Sequence, residues 1–375
     1  MDCIYLDNNA TTPLLPAVWE AMRPYLTDVF GNPASAHAAG RRARRALEDA
    51  RESVASHLDA HPDEILFTSG ATEANNLALF GLAGEPPAHL ITSPIEHPSV
   101  AEPLRRLAEI GFTLDFLPVD VLGRVRVDSL ADALRPDPRL IAVMLANHET
   151  GVVQPIRRLM ETLGGRALFH CDAVQAAGKV PLRFHDLGVD TLTISAHKFH
   201  GPKGIGALLV RRGVKLRPRT WGGHQQQGRR PGTEPVALAV GLACALDHAC
   251  REMTERLSHV RRLHERFLDH LRNGAAPVVV NGPDDSIPHT INVSFPGVKG
   301  DLLLMSLDLA GVACSTGSAC SSGSLLPSPV LQAMGVSDAV LHSAMRFSLS
   351  PLLTLEEIDE AARRIAAVVA RLRQG

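Results

Sequence analysis

Cys320 stands in STGSACSSGS, residues 315–324, a run of serine, glycine, threonine and alanine around a single thiol. Such a run packs no core, so either the thiol is incidental in a loose loop or the loop exists to carry it. Four other stretches put reactive side chains where an apolar run gives way to a helical pattern, the place where open α/β sheets bind ligands. FTSGATEANN (67–76) offers small residues and a hydroxyl there: Ala71 and Thr72 would open a helix whose free N–H groups suit a phosphate, although a plain helix cap reads the same way. It is not the G-x-x-x-x-G-K-[ST] loop, and no G-x-G-x-x-G follows a strand, which removes the usual signals for ATP and for dinucleotides. HCDAVQ (170–175) ends an apolar run on Asp172, which either caps a helix or faces a cation such as a protonated ring nitrogen; Gln175, one turn on, shares its face. TISAHKFHGPKGIG (193–206) sets Ser195, His197 and Lys198 at a strand end, where a lysine is costly unless paired or covalently engaged. Only five of the 38 basic residues are lysine, and a guanidinium cannot form a Schiff base, although the other four lysines need no such reason. SPIEHPSV (93–100) adds His97, a structural residue in the ordinary case, but beside Asp172 and Lys198 able to stack on a ring or shuttle a proton.

Seven short apolar runs must position these groups: EILFTSG (64–70), HLITSP (89–94), TLDFLPVD (113–120), RLIAVMLAN (139–147), ALFHCDA (167–173), DTLTISA (190–196) and GIGALLVRR (204–212). Their near-continuous apolarity predicts buried strands in a sheet covered on both faces. Helical patterns fall between most of them, at 39–59, 72–82, 98–110, 128–134 and 155–163. Strand–helix alternation of this kind predicts an α/β fold with a mainly parallel sheet, the last two strands being the possible antiparallel exception. From Pro235 the texture changes: one long helix or two over 235–273, a strand INVSF (291–295), a helix GDLLLMSLD (300–308) and a strand near MRFSLS (345–350). A final helix opens on Thr354 with Glu357 three residues later, the capping-box spacing. The expected organisation is an N-terminal segment, 1–15, joining the smaller domain, a large domain over 16–255, and a smaller α+β domain over 256–375 that carries the Cys320 loop.

The bulk numbers exclude several classes. With 38 basic and 40 acidic residues the chain lacks the concentrated positive field of a nucleic-acid binder. RRARR (41–45) is followed at once by acids and reads as one solvated helix face. No apolar run has transmembrane length and the N-terminus lacks the pattern of a signal peptide, so a soluble cytoplasmic protein is expected. Six cysteines in 375 residues make no disulfide scaffold, none forms a C-x-x-C pair, and Cys314 and Cys320 have no histidine near them, so no metal site is expected. Reduced and mostly buried thiols are the plain expectation for all six.

Read in chain order, phosphate cradle, stacking histidine, ring-nitrogen carboxylate and Schiff-base lysine make up the parts of a pyridoxal-phosphate site. The segments SGATE, IEH, HCDAVQ, SAHKFHGPKGIG, RRPGT, GSACSS and RFSLS, with YLDNNATTP and FGNPASAH near the N-terminus, resemble cysteine desulfurases of the NifS/IscS group. These are fold-type I pyridoxal-phosphate enzymes related to class V aminotransferases, and the resemblance runs from about residue 4 to about residue 370. It implies that Lys198 holds the cofactor covalently, Asp172 keeps its ring nitrogen protonated, Gln175 bonds its ring oxygen and His97 stacks on its face. Ala71, Thr72, Ser195 and His197 would hold the phosphate, with Thr233 reaching it from a second subunit of a homodimer. Arg346 would clamp the substrate carboxylate, a task that suits a bidentate guanidinium, and Asn9 would line the same pocket. The implied reaction converts L-cysteine to L-alanine, leaving the sulfur on Cys320 as a persulfide for an iron–sulfur scaffold or a thiolation enzyme. That chemistry needs an exposed thiolate and gives the Ser/Gly loop a gating role.

Two departures from the group's pattern stand out. His148 occupies a position where an asparagine usually contacts the ring oxygen and the substrate carboxylate, which implies altered substrate handling. His224 and Gln226 replace a usual glycine and glutamate, which puts an ion pair at the dimer interface in doubt. Selenocysteine lyase and sulfur-independent class V enzymes share most of this site, and a non-catalytic interaction protein on the same fold is the reading of a different kind.

Overall fold

The seven apolar runs become the strands of one sheet in a computed structural model that describes residues 3–317 and 327–374. Its spatial order is Ile65–Thr68, Gly206–Val210, Thr191–Ser195, Leu168–Asp172, Pro138–Ala142, His89–Thr92 and Thr113–Phe116. Neighbours run parallel except around Gly206–Val210, which is antiparallel to both Thr191–Ser195 and Ile65–Thr68. The connection from Ser195 to Gly206 is too short to carry the helical crossover that a parallel return needs. Thr191–Ser195 and Gly206–Val210 are buried along their whole length, as their unbroken apolarity requires. Thr113–Phe116 is not: it is one of the two edge strands, and unlike the other, Ile65–Thr68, it has no fully buried residue and exposes Phe116. An apolar run at a sheet edge can keep one flank in solvent, and neither composition nor period reveals edge position.

Helices Ala38–His57, Ala71–Ala83, Pro98–Glu109, Asp128–Ala133 and Ile156–Leu163 form close to the expected bounds. Pro16–Thr27, which the pattern did not announce, is also helical; it starts on proline, contains Pro24 and buries only Val18 and Met22, so its apolar period is faint. The long helical stretch divides into Val236–Arg251 and Met253–Gly274. A second core gathers around the antiparallel strands Thr290–Ser294 and Ala344–Ser348, with Met253–Gly274 and Leu355–Gln374 packed on them. Phe267 and Phe347 meet there edge to face, their ring centres 5.2 Å apart. Ile4 and Leu6 join this core, and Ile4–Tyr5 pairs in parallel with Val312–Ala313. The capping box of the last helix forms: Thr354 N donates to Glu357 Oε2 at 2.8 Å, and Glu357 N to Thr354 Oγ1 at 3.2 Å.

Gln226 departs from the group's pattern inside its own chain. Its backbone is left-handed, with φ of 47°, and its buried amide explains why the conformation holds. Oε1 accepts from Phe67 N at 3.0 Å and from Arg51 Nη1 at 3.1 Å, while Nε2 donates to the Glu234 carboxylate. A carboxylate at this position could accept from the first two but would face Glu234 with like charge. Gln226→Glu is therefore expected to lower stability by about 1–3 kcal/mol, the usual cost of leaving a buried polar contact unmade. Urea unfolding followed by circular dichroism would show it as a shifted midpoint with unchanged slope.

Candidate functional site

The parallel strands end at one cavity of about 550 Å³. Ala71, Thr72, His97, His148, Asp172, Gln175, Ser195, His197 and Lys198, nine residues read as candidates from sequence, all line it. They come from five separate chain segments, brought together by the sheet order.

One part of the lining is rich in donors. Helix Ala71–Ala83 starts there after Gly70, and no side chain caps its first turn. Its N–H groups and the positive end of its dipole therefore remain for an anion. Gly70 has φ of 153°, a conformation that suits glycine alone. The Ser195 hydroxyl is buried without a hydrogen-bond partner among the described residues, the state of a group waiting for a ligand oxygen. His197 Nδ1 lies 3.2 Å from Thr11 Oγ1, and burial pushes its pKa down to about 4, so its imidazole is neutral. Lys203, to which the sequence assigned no role, adds a second lysine to the lining.

The carboxylate of Asp172 is the acceptor in this lining. Its Oδ1 accepts from Val174 N at 3.0 Å and its Oδ2 from Asn75 Nδ2 at 2.8 Å. His97 sits at the entry of helix Pro98–Glu109, where Nδ1 accepts from Ser99 N at 3.1 Å. Burial lowers its pKa, and the His148 ring stands edge-on to it with centres 5.3 Å apart. Burial, reinforced by His97, takes His148 well below the ordinary imidazole value, so it too is neutral. Its Nδ1 is buried with no partner.

Lys198 Nζ donates to the carbonyls of Asn9 at 2.6 Å and Ala10 at 2.8 Å. Asn9 itself does not line the cavity. It is a buried hub whose side chain donates to Thr290 Oγ1 at 2.8 Å and His148 O at 3.2 Å, and whose carbonyl also receives Gln175 Nε2 at 3.0 Å. Lys179 completes this layer: its buried amine donates to Gln175 Oε1 at 2.7 Å and Asn9 Oδ1 at 3.1 Å, and burial takes its pKa down to about 7. Sequence reasoning passed over Lys179, although its spacing of four from Gln175 was a signal.

Arg346 is buried behind His148 and not in the lining. Its Nη2 pairs with Asp7 Oδ1 at 2.9 Å and its Nη1 donates to His148 O at 3.2 Å, leaving Nε without a partner. Thr233 is exposed and does not reach the cavity of its own chain. Cys320 lies outside the described residues. Of the other thiols, Cys171 is buried, Cys244, Cys250 and Cys314 are half-buried and Cys3 is exposed, less burial than the mostly buried set expected. Burial pushes the Cys314 thiol far up, which denies it thiolate chemistry.

Glu96, beside His97 in sequence, is fully enclosed. Its Oε1 accepts from Met144 N at 3.1 Å and from the Ser93 hydroxyl, and Oε2 has no partner. Burial, only partly offset by these bonds, pushes its pKa up to about 8 from an ordinary 4.5. Between those values the folded chain holds a proton that the unfolded chain has lost. This group's contribution to stability is complete at low pH and disappears as pH rises through the window to about 8. Glu96→Gln, permanently neutral, is expected to gain urea resistance over the wild type above pH 8 and to show little difference near pH 5. A difference independent of pH would refute the buried proton.

Among the described residues, no helix is long and apolar enough to cross a membrane. The pattern of the aminotransferase class-V family matches residues 4–361. A protein described as cysteine desulfurase IscS from Dictyoglomus turgidum is 44% identical over 375 residues, covering 99% of this chain and 95% of that one. A solved NifS-like protein superposes with a TM-score of 0.93 at 37% identity, covering 99% of this chain and all of the other. Another solved chain, SspA in complex with cysteine, gives 0.83 at 36% identity over 93% of this chain and 99% of its own.

Proposed function

The chain belongs to the aminotransferase class-V family and is a pyridoxal-phosphate-dependent cysteine desulfurase; from that premise we propose how its own residues divide the work. The observation that carries the assignment of roles is the cavity that gathers Lys198, Asp172, His97 and an uncapped helix start. Its donor set fits the cofactor: Ala71 and Thr72 N–H, the partnerless Ser195 hydroxyl and neutral His197 would hold the phosphate. Asp172 would hold the ring nitrogen in its protonated form, His97 would cover the ring, and Gln175 would offer its remaining amide N–H to the ring oxygen. When bound, pyridoxal phosphate supplies an aldehyde that captures amines and a ring that draws electrons from the substrate Cα.

The Lys198 amine would hold the cofactor in the resting enzyme and take the proton from Cα of L-cysteine once its nitrogen is free. Arg346, fixed by Asp7, would orient the substrate carboxylate from behind His148. The Cys320 thiolate would then take the substrate sulfur: an S–S bond forms as the Cβ–S bond breaks, and the electron pair left on Cβ collects a proton to give the methyl group of alanine. Cys320 carries the persulfide away, to an iron–sulfur scaffold or a thiolation enzyme as acceptor. The exposure of Thr233, outside its own chain's cavity, supports a homodimer in which it completes the partner subunit's phosphate site.

The experiment is direct. Purified protein with pyridoxal phosphate and L-cysteine should release alanine, with matching sulfide when a thiol reductant is present. No alanine from a protein that shows the cofactor's visible absorbance would overturn the reading.

A further inference from the structure

Asn75 is fully buried and not part of the cavity lining, yet its one amide meets three groups. Nδ2 donates to Asp172 Oδ2 at 2.8 Å and to Ser99 Oγ at 2.9 Å, while Oδ1 lies 3.1 Å from His170 Nε2. The amide turns its NH₂ face to Asp172 and its oxygen to His170. His170 must then donate from Nε2. It is neutral, since full burial pushes its pKa down to about 3, and so its Nδ1 accepts from Thr191 Oγ1 at 2.9 Å. Ser99 Oγ, having accepted from Asn75, keeps its own proton for His97 Nδ1 at 2.8 Å. Each bond in the chain from Thr191 through His170 and Asn75 to Asp172 and His97 thus has a single consistent direction.

We propose that Asn75 is a positioning residue whose amide holds the Asp172 carboxylate in place and anchors the Ser99 hydroxyl against His97. The carboxylate and the imidazole of the cavity are set together by one side chain that touches neither substrate nor cofactor. The functional weight of this rests on Asp172 and His97 serving the cofactor as read above. Removing Asn75 takes a 2.8 Å hydrogen bond from Asp172, so its carboxylate would no longer be held toward the ring nitrogen and would stabilise a positive charge there less. A cofactor ring with less positive charge would withdraw electrons less, and its visible absorbance transition would move to higher pH.

The test uses the full-length protein with pyridoxal phosphate bound. The pH midpoint of its visible absorbance transition is compared among wild type, Asn75→Ala and Ser99→Ala. Asn75→Ala is expected to move the midpoint up by about one pH unit, the scale of one lost hydrogen bond to a charged group. Ser99→Ala, which leaves the Asn75–Asp172 bond intact, is expected to leave the midpoint in place. A folded Asn75→Ala protein with the wild-type midpoint overturns the proposal. Histidine ¹⁵N spectra of the wild type give a second readout that needs no variant: His170, which faces Asn75 Oδ1, is expected as the neutral Nε2–H form. An Nδ1–H signal for His170 also overturns it, whether or not Asn75→Ala folds. Should the protein bind no pyridoxal phosphate, the functional reading fails while the histidine spectra still decide the role of Asn75.

Discussion

Replacing Lys198 with alanine is expected to abolish alanine release from L-cysteine, by about 10⁴-fold or more, at the upper end of what a positioned proton-transfer group contributes. The loss is large because, in the proposed division of work, one amine would serve twice: it would hold the cofactor and move the Cα proton. Its amine donates to the backbone carbonyls of Asn9 and Ala10, acceptors that belong to the chain turn and not to the donor corner. The fold and the phosphate corner should therefore survive. The variant is expected to bind pyridoxal phosphate reversibly, so that borohydride fixes the cofactor to the wild type and not to Lys198→Ala. Turnover within tenfold of wild type would remove Lys198 from its role. Loss of cofactor binding altogether would instead show that the donor corner alone does not hold the phosphate.

The second large effect belongs to Cys320→Ser. A hydroxyl is isosteric with a thiol to within a few tenths of an ångström but stays protonated near neutral pH and is a poor nucleophile toward sulfur. Alanine formation is expected to fall by at least about a hundredfold, with the cofactor's absorbance spectrum unchanged, because the groups assigned to the cofactor are Lys198, Asp172, His97 and the donor corner. Mass spectrometry should find an added sulfur on the wild-type chain after exposure to L-cysteine and none on the variant. Unchanged alanine formation would point to a lyase that releases sulfur without a carrier thiol. Cys314 is no substitute: burial holds its thiol protonated.

Much of this site was legible in the chain because each piece is a local event. An apolar run that stops at Asp172 or Lys198 announces a strand end, and the strand end announces a ligand site. The helix starts at Ala71 and Pro98 were equally readable, from small residues in the first case and from His97 followed by proline in the second. What stayed hidden was the support behind these groups. Asn75 bonds Asp172 across 97 residues of chain and His170 across 95. Asn9 meets Gln175 across 166 residues and Ser348 across 339. Asn9 was expected in the pocket wall and instead holds the wall's residues from behind, and Arg346 stands one layer back, tied to Asp7. Gln226, expected to bear on a dimer contact, is consumed within its own chain by Arg51, Phe67 and Glu234.

The sequence by itself determined which segments are strands and helices, which residue types end them, and so the class of chemistry. Side-chain period and capping are set by neighbours within one or two turns, and those neighbours are written in order along the chain. Only the tertiary structure decided that Thr113–Phe116 is an edge strand, that Gly206–Val210 pairs with Ile65–Thr68, and that Asn75, Lys179 and Asn9 stand behind the cavity. Those outcomes depend on the order in which strands assemble, which brings together groups far apart in sequence. The Asn75 amide then turns its NH₂ to Asp172 and its oxygen to His170, because both stand beside it only in the fold.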